Sequence, residues 1–431
     1  MNVVARFWQA GIGVLRQPSL HREALFLAAA TITSGLGSLI YWKLITLRFT
    51  PEMVGLISAA IASTVFISGL SNLGLTAGLA RFLPQQEAGL KFGLIRITIS
   101  ISQAMGLVMG FVFLFGKNLW APNIIPPQAG PVYVIIFMVL LLATIQMNTN
   151  TAVIQSQRRT PYLLLQSVII NIVQITGGAL VGVSLGVSGI LLTYTLPILV
   201  VAVGFYFALP WLAHFAGATP VIIASQFKDL LRYSFNTQIF GTFWQLPAFI
   251  FPLMTLAKLG AEASARLALT WYAYNFLTII PNAIVVALLV DGAHEPDRLP
   301  HRLWEALCTN LVILTPMVIL IACFSPWLLG FFGVSYVPAA PLLQLMAISV
   351  LPISVNGLFI TRWRIRKQML TLNIFTAFLI FVSILLPYLL IPQFGLNGIG
   401  WGWLTGQTVF ALAVIPKIIR ERWPAAKGIV A

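Results

Sequence analysis

The stretch Met369–Ile391 reads MLTLNIFTAFLIFVSILLPYLLI and contains no charged residue. A helix needs about 20 apolar residues to cross the hydrocarbon core of a bilayer. Eleven further long and mainly apolar stretches run through the 431-residue chain, so the sequence predicts twelve transmembrane helices. In chain order the predicted spans are Ala24–Leu47, Met53–Leu83, Gly93–Gly116, Pro131–Ile154, Tyr162–Val183, Val187–Pro210, Ser234–Ala257, Ala263–Val290, Glu305–Gly330, Pro338–Thr361, Met369–Ile391 and Leu396–Pro416.

Composition excludes an ordinary soluble protein. The chain is 59% hydrophobic and only 8% charged, whereas roughly a quarter of the residues of soluble domains are charged. The stretches lack the alternation of a membrane barrel, and open strands cannot satisfy their backbone in lipid. We therefore predict an all-α integral membrane protein. The second span, Met53–Leu83, is predicted to be one helix of about 46 Å that tilts or projects past the bilayer.

No carboxylate lies near the middle of a predicted span. The ten acidic residues, all at or beyond the end of a stretch, are Glu23, Glu52, Glu87, Asp229, Glu262, Asp291, Glu295, Asp297, Glu305 and Glu421. A buried Asp or Glu is the usual group by which a membrane pump binds a proton or a cation. The pattern therefore favours a protein that handles an anion.

The net charge of +15 is distributed as membrane topology requires. When loops are assigned alternately to two sides, the side with both termini holds all Lys and Arg except Lys43, Arg48, Lys117, Lys258 and Arg266. Positive loops stay in the cytoplasm, so we predict cytoplasmic termini in a bacterial inner membrane. Most of this charge is expected to contact anionic membrane lipids. No nucleic-acid partner is predicted.

The chain matches itself weakly at an offset near 210. Asn72 corresponds to Asn282, and Gly186–Ile190 corresponds to Gly395–Ile399. Six spans per half make the halves parallel repeats, and substrate sites of such proteins lie between the halves, here around a central cavity. The predicted regions are a cytoplasmic or interfacial segment (1–23), a six-helix bundle (24–213), a cytoplasmic linker with an amphipathic helix (214–233), a second bundle (234–416) and a cytoplasmic tail (417–431).

Side chains for catalysis or metal binding are missing from the pattern. The four histidines are not spaced for ligation, and Cys308 and Cys323 are too far apart on one predicted helix to pair. We predict no catalytic residue, no metal and no cofactor. Pairs such as Gly74 and Gly78 allow helices to approach closely.

Polar residues inside the spans are the candidate substrate-binding groups. We single out Asn72, Tyr274, Asn275 and Asn282, because amides and tyrosines could line a path for a hydroxyl-rich cargo. Hydrogen bonding between helices is the alternative role for each of them.

Four cations complete the candidate site. Arg81 and Arg96 could meet a phosphate that enters from the cytoplasmic leaflet, and Lys43 and Arg266 could assist its passage outward. Extension of these side chains to the lipid headgroups is the alternative explanation.

Several segments resemble one transporter family over nearly the whole chain. They are Gly74-Leu75 with Ala80-Arg81-Phe82-Leu83-Pro84, Phe227-Lys228-Asp229-Leu230-Leu231-Arg232-Tyr233-Ser234, Ile280-Pro281-Asn282-Ala283-Ile284 and Gly395-Leu396-Asn397-Gly398-Ile399-Gly400. They resemble the polysaccharide (O-antigen type) flippases of the multidrug/oligosaccharidyl-lipid/polysaccharide (MOP) exporter superfamily. The resemblance implies two six-helix bundles of the MATE-like kind and alternating access. The implied cargo is an undecaprenyl-pyrophosphate-linked oligosaccharide for surface polysaccharide such as lipopolysaccharide. A glycan polymerase and glycosyltransferases would be the protein partners.

Other functions remain open at this point. The related lipid II flippases have fourteen spans and an acidic–basic pair where this chain has the uncharged segment 272–276. An ion-coupled multidrug exporter of the MATE type would need carboxylates within its bundles. A membrane-embedded glycan polymerase or ligase would need a large external loop, and the external loops here are short. A non-transporting assembly partner of glycan synthases is a further possibility.

Overall fold

The computed structural model describes residues 18–120, 124–126, 130–181, 185–294, 299–366 and 368–427. These residues form helices and no strands, so the prediction of an all-helical membrane protein is confirmed. The helices are α1 (Pro18–Arg48), α2 (Pro51–Ser71), α3 (Leu75–Phe82), α4 (Ala88–Phe115), α5 (Gly130–Ser156), α6 (Pro161–Leu180), α7 (Gly186–Leu212), α8 (Ala224–Leu259), α9 (Ala261–His294), α10 (Leu299–Gly330), α11 (Ala340–Ile365), α12 (Met369–Phe394) and α13 (Asn397–Lys427).

Every predicted span except the second coincides with one long helix. Eleven segments among the described residues are long and apolar enough to cross a membrane, and α9 occupies the position of the remaining predicted span. Residues at the helix ends follow simple rules. Pro51 and Pro161 begin α2 and α6, because proline has no N–H to leave unpaired in a first turn. The chain is a multi-pass membrane protein.

The second span differs from its prediction, because it is broken rather than continuous. Helix α2 ends at Ser71, and the chain turns through Leu73 (φ 47°) and Gly74 (φ 73°) before α3 begins. Gly74 permits this left-handed turn because it has no side chain. It also lies so close to α8 that a Cβ there would be 2.1 Å from the Ser234 carbonyl oxygen. The prediction of one uninterrupted helix from Met53 to Leu83 is therefore wrong.

Two matching turns support the internal repeat. Gly186 and Gly395, which the offset near 210 pairs, adopt almost the same left-handed conformation, with φ of 54° and 56°. Each lies where the next helix of its half starts, at α7 and α13 respectively. A positive φ is accessible to glycine at little cost, so the same residue type meets the same backbone requirement in both halves.

The contacts within the chain divide it into two compact units. Unit 1 contains residues 1–48, 67–115 and 127–238, and unit 2 contains residues 49–66, 116–126 and 239–431. In unit 1, α1 packs on α6 and α5 packs on α7. In unit 2, α11 packs on α9, α10 and α13, and α12 packs on α13. The limits of the two bundles given above remain a prediction.

Each unit has an apolar core of its own. In unit 1, Leu75, Leu79 and Leu83 of the segment after the break are fully buried. In unit 2, Phe251 and Met346 lie in a buried cluster shared by several helices. Residues 227–232, the short amphipathic helix expected in the linker 214–233, lie in the first turns of α8, which continues to Leu259. The predicted interfacial segment at the N-terminus lies outside the described residues, apart from the first turn of α1.

Candidate binding cavity

Unit 2 contains a cavity of about 330 Å³, which we call the unit 2 cavity. Ligand pockets generally measure about 300–1,000 Å³, so this one is at the small end of the range. The side chains around it are aromatic, amide, hydroxyl or apolar. They belong to Trp244, Gln245, Pro247, Ala248, Trp271, Tyr274, Asn275, Thr278, Pro281, Asn282, Val285, Ile353, Ser354, Gly357, Ile380, Trp403 and Gln407.

Local sequence explains why a gap exists between these helices. Pro247 in α8 and Pro281 in α9 both line the cavity. Proline in a helix interior removes a backbone hydrogen bond and kinks the helix. Across from them, α11 contributes Gly357, which has no side chain to fill the space. Two prolines and one glycine therefore keep α8, α9 and α11 from closing on one another here.

The base of the cavity is formed by packed aromatic rings. The ring centroids of Trp271 and Tyr274 are 5.5 Å apart, and those of Trp271 and Trp403 are 6.3 Å apart. Phe251 lies edge-on to both tryptophans, with centroid distances of 5.8 and 5.6 Å. Tyr274, Phe251 and Trp403 are buried. These edge-to-face contacts fix the shape of the base.

A buried amide network is attached to the cavity lining through Gln407. Nδ2 of Asn356 donates to the backbone oxygen and to Oε1 of Gln407, each at 3.0 Å. Nε2 of Gln407 donates to Oγ of Ser383 at 3.2 Å. The three residues come from α11, α13 and α12, so the network joins three helices, and Gln407 is its member in the cavity lining.

The amides at the edge of the cavity are different, because their polar groups are unused. Gln245, Asn275 and Asn282 are exposed, and their side chains form no hydrogen bond with the part of the chain that the structure describes. An amide carries two donor hydrogens and an accepting oxygen. These three side chains can therefore bind a polar ligand without breaking an internal contact.

Three of the sequence-predicted site residues come together here. Tyr274, Asn275 and Asn282 line the unit 2 cavity, with the tyrosine in its base and the two asparagines at its edge. The cavity also contains three tryptophans that were not predicted as site residues, Trp244, Trp271 and Trp403. In the sequence they lie beside amide residues within predicted spans. Aromatic residues are common in buried helices, however, so this signal does not separate a binding surface from a core.

Asn72 lies in unit 1, at the end of α2 where the helix breaks. Its Nδ2 donates to the Ser68 carbonyl oxygen at 2.8 Å, and its Oδ1 is buried without a hydrogen-bond partner among the described residues. Gln238 donates to the Gly69 carbonyl oxygen at 3.0 Å, one turn earlier. Asn72 therefore helps to end α2.

The four predicted cations are dispersed. Arg81 is exposed, with its guanidinium 4.5 Å from the ring centroid of Tyr233, and Arg96 is exposed on α4. Lys43 is half-buried in α1. Arg266 is engaged locally, because it pairs with Glu262 and donates from Nε to the Ser335 carbonyl oxygen at 2.9 Å.

Unit 1 has a cavity of its own, of about 380 Å³, between α4, α5 and α7. Its lining is mainly apolar but includes Gln103 and Gln146. Gln146 donates to Asn150 at 2.8 Å, and Asn150 donates to the Ala202 carbonyl oxygen at 2.9 Å. Gln146 and Asn150 are one turn apart on α5, whereas the bond from Asn150 to Ala202 joins α5 to α7. That second bond is of the kind given above as the alternative role of polar residues in the spans. None of the four cations is among the described residues that line either cavity.

No protein-family model matches the sequence, and no curated protein matches it significantly. Solved structures do match. An inward-facing multidrug resistance MATE family transporter of the MOP superfamily superposes with a TM-score of 0.69 at 15% identity, over 95% of this chain and 96% of that one. A MATE structure in the straight conformation gives 0.65 at 14% identity, with the same coverage.

A third similar structure is a MOP superfamily transporter from Pyrococcus furiosus, described as having a binding pocket of reverse polarity that suggests a different function. It matches with a TM-score of 0.63 at 14% identity, over 95% of this chain and 96% of that one. Together these matches show that the chain has the fold of the MATE transporters. At such low identity a shared fold does not assign a cargo.

Proposed function

We propose that this protein is a membrane transporter that moves an undecaprenyl-pyrophosphate-linked oligosaccharide from the cytoplasmic to the outer leaflet by alternating access. The product would serve surface polysaccharide biosynthesis at the inner membrane of a bacterium, with both termini in the cytoplasm. The observation that carries the proposal is the lining of the unit 2 cavity, where aromatic rings and free amides occur together and none of the described lining residues is charged.

Such a lining suits a ligand rich in hydroxyl groups. Each sugar hydroxyl both donates and accepts hydrogen bonds, as do the amides of Gln245, Asn275 and Asn282. Apolar faces of sugar rings can pack against aromatic rings, whose faces carry partial negative charge. A pocket with a few convergent polar groups on an apolar wall is the usual form of a small-molecule site.

The location of the carboxylates argues against coupling to a cation. Glu52 and Glu262 lie in the first turns of α2 and α9, and Glu262 is already paired with Arg266. Glu23, near the start of α1, accepts hydrogen bonds from Thr160. Neither cavity has a carboxylate among its described lining residues, whereas cation-coupled transporters use such groups within the membrane.

The second candidate function is an ion-coupled multidrug exporter of the MATE type. The similarity of the fold to multidrug resistance MATE transporters favours it. Pocket chemistry varies within this fold, because the matching Pyrococcus furiosus protein is described as having a pocket of reverse polarity that suggests a different function. Because the cavities here are neutral, we rank this candidate below the flippase.

The membrane potential could supply the direction of transport. An anion that leaves a cell with a negative interior gains about 2.3 kcal/mol per charge per 100 mV. Two charges on a pyrophosphate would gain about 4–5 kcal/mol at 100 mV by the same relation. A transporter of this cargo therefore needs no coupling carboxylate.

The test is to deplete the protein in its own cells and locate lipid-linked oligosaccharide in the two leaflets. The proposal predicts that the glycan accumulates on the cytoplasmic side, where added glycosidases cannot reach it in intact cells. The exporter alternative predicts an unchanged glycan distribution and a higher accumulation of cationic dyes. An unchanged glycan distribution together with higher dye accumulation would reject the flippase function.

A further inference from the structure

We propose that the unit 2 cavity is a subsite for an uncharged pyranose ring, which stacks on the indole of Trp244. This inference rests on the proposed function, because the ring would belong to the glycan of the lipid-linked cargo. Beyond the proposed function, it specifies which part of the cargo the cavity binds, the residue on which that part stacks and the class of sugar that the cavity selects.

Trp244 differs from the other tryptophans of the cavity in its exposure. It is 38% exposed, whereas Trp403 is 6% exposed and belongs to the packed base. The Trp244 ring stacks on Phe240 with a centroid distance of 6.2 Å and an interplanar angle of 20°. Phe240 is not among the residues that line the cavity. The indole therefore has a packed side, which holds its orientation, and a side available to a ligand.

Three amides line the same cavity as this aromatic surface. Gln245 follows Trp244 on α8, and Asn275 and Asn282 lie two turns apart on α9, all with unused side-chain polar groups in the described chain. A pyranose has an apolar face of C–H groups and a rim of hydroxyl groups around its edge. The indole matches the face, and the amides match the rim. A cavity at the small end of the ligand range suits one sugar unit rather than a whole glycan.

The absence of charge in the described lining determines the class of sugar. A uronic acid or another acidic sugar would place a carboxylate in the cavity, and burial of a charge without a partner is costly. Arg364 is near, but its guanidinium lies 5.4 Å from the ring centroid of Phe240 and is not among the lining residues. The cavity should therefore accept neutral hexoses and N-acetylhexosamines and discriminate against acidic ones.

Saturation-transfer NMR on the full-length protein in nanodiscs tests this inference directly. The neutral probes are the methyl β-glycosides of glucose, galactose and N-acetylglucosamine, and the acidic probe is methyl β-glucuronide, which differs from the glucoside only at C6. The protein variants are Trp244→Ala, Trp244→Phe and Trp327→Ala. Trp327 is a matched control, since it is 71% exposed on α10 and does not line the cavity.

We expect at least one neutral glycoside to receive saturation on the axial C–H groups of one ring face. Trp244→Ala should weaken that signal about fivefold to tenfold, as expected for the loss of one aromatic contact. Trp244→Phe and Trp327→Ala should retain most of it, and the glucuronide should give a much weaker signal. A thermal unfolding curve for each variant shows that Trp244→Ala remains folded.

Two results would overturn the inference: neutral signals that do not depend on Trp244, or a glucuronide signal as strong as that of the glucoside. If Trp244→Ala unfolds, Trp244→Leu takes its place, and unchanged binding in that variant also overturns the inference. Failure of the proposed function is seen separately. If the parent protein and Trp244→Ala transport lipid-linked glycan equally well, the proposed function stands and the subsite is rejected. If the parent protein transports no glycan, the proposed function is rejected.

Discussion

Asn356 donates its Nδ2 hydrogens to both oxygens of Gln407, the backbone carbonyl and Oε1, each at 3.0 Å. Gln407 lines the unit 2 cavity, whereas Asn356 is fully buried and is not one of the lining residues. The pair separates two kinds of amide in this bundle. Asn356 supports the cavity through Gln407, while Asn275 and Asn282 face the cavity with free polar groups.

We predict that Asn356→Leu destabilises the protein. The change removes both hydrogen bonds and leaves the Gln407 side-chain oxygen buried without its donor, at a cost of about 1–2 kcal/mol. Thermal unfolding of the purified protein in detergent measures the effect as a lower Tm. Asn275→Leu is the control, because a substitution at an exposed, unbonded side chain should change stability by less than about 0.5 kcal/mol. Equal Tm values for the two variants would contradict the structural role of Asn356.

The exposed asparagines should behave in the opposite way. Asn275→Ala and Asn282→Ala are expected to leave the Tm unchanged and to slow glycan transport, with the double variant slower than either single variant. Each lost hydrogen bond to a neutral cargo is worth about 0.5–1.5 kcal/mol, or about twofold to tenfold in rate or affinity. Transport rates of the single and double variants in vesicles test this. Full transport in the double variant would remove these residues from the site.

The break between α2 and α3 depends on glycine. Gly74→Ala adds a Cβ that would lie 2.1 Å from the Ser234 carbonyl oxygen, at a residue with φ of 73°. We expect the free energy of unfolding to fall by at least about 1 kcal/mol, because both the left-handed backbone and the contact with α8 are disturbed. The measurement is again thermal unfolding. The control is Gly241→Ala on α8, where no atom lies within 4 Å of the added Cβ; its Tm should match or slightly exceed that of the parent protein, because alanine has the higher helix propensity. A Tm of Gly74→Ala equal to that of Gly241→Ala would show that the break tolerates a side chain.

Arg81 is one of the two exposed cations among the predicted four, and it carries no ion pair in the described chain, so its guanidinium can meet a phosphate. Arg81→Gln should slow transport of a pyrophosphate-linked cargo about tenfold, since a charge-assisted hydrogen bond is worth about 1.5–3 kcal/mol. Tyr233→Leu removes the ring 4.5 Å away but keeps the charge, so it should have a smaller effect. If Arg81→Gln transports at the parental rate, the side chain only contacts lipid headgroups.

Hydropathy was sufficient to predict the helices, but not the break in the second span. Long uncharged runs leave a helix as the only stable backbone in lipid, so segments such as Met369–Ile391 allow one solution. The turn at Leu73 and Gly74 was missed although Gly74 lies against the backbone of Ser234, because that contact joins residues 160 positions apart in the chain. Apolarity continues through the turn, so periodicity and composition do not reveal it.

The site was predicted in part, for a related reason. Asn275 and Asn282 were identifiable because amides are costly in lipid unless they face other helices or a wet cavity. The rule could not separate them from Asn150 or Asn356, which are buried and bond to neighbouring helices. Trp244 was missed because aromatic residues are common in apolar spans, whether they line a cavity or pack in a core. Its significance comes from exposure and from its neighbours, which only the folded chain brings together.

The most direct measurement of the central claim is transport in sealed vesicles that contain only the purified protein. Two cargoes are compared, a fluorescent undecaprenyl-pyrophosphate oligosaccharide with neutral sugars and a cationic dye, each under an imposed potential, a proton gradient or a sodium gradient. We predict that the glycan crosses, that its rate follows the potential, and that neither gradient is needed. Transport of the dye driven by a cation gradient, with no movement of the glycan, would contradict the account.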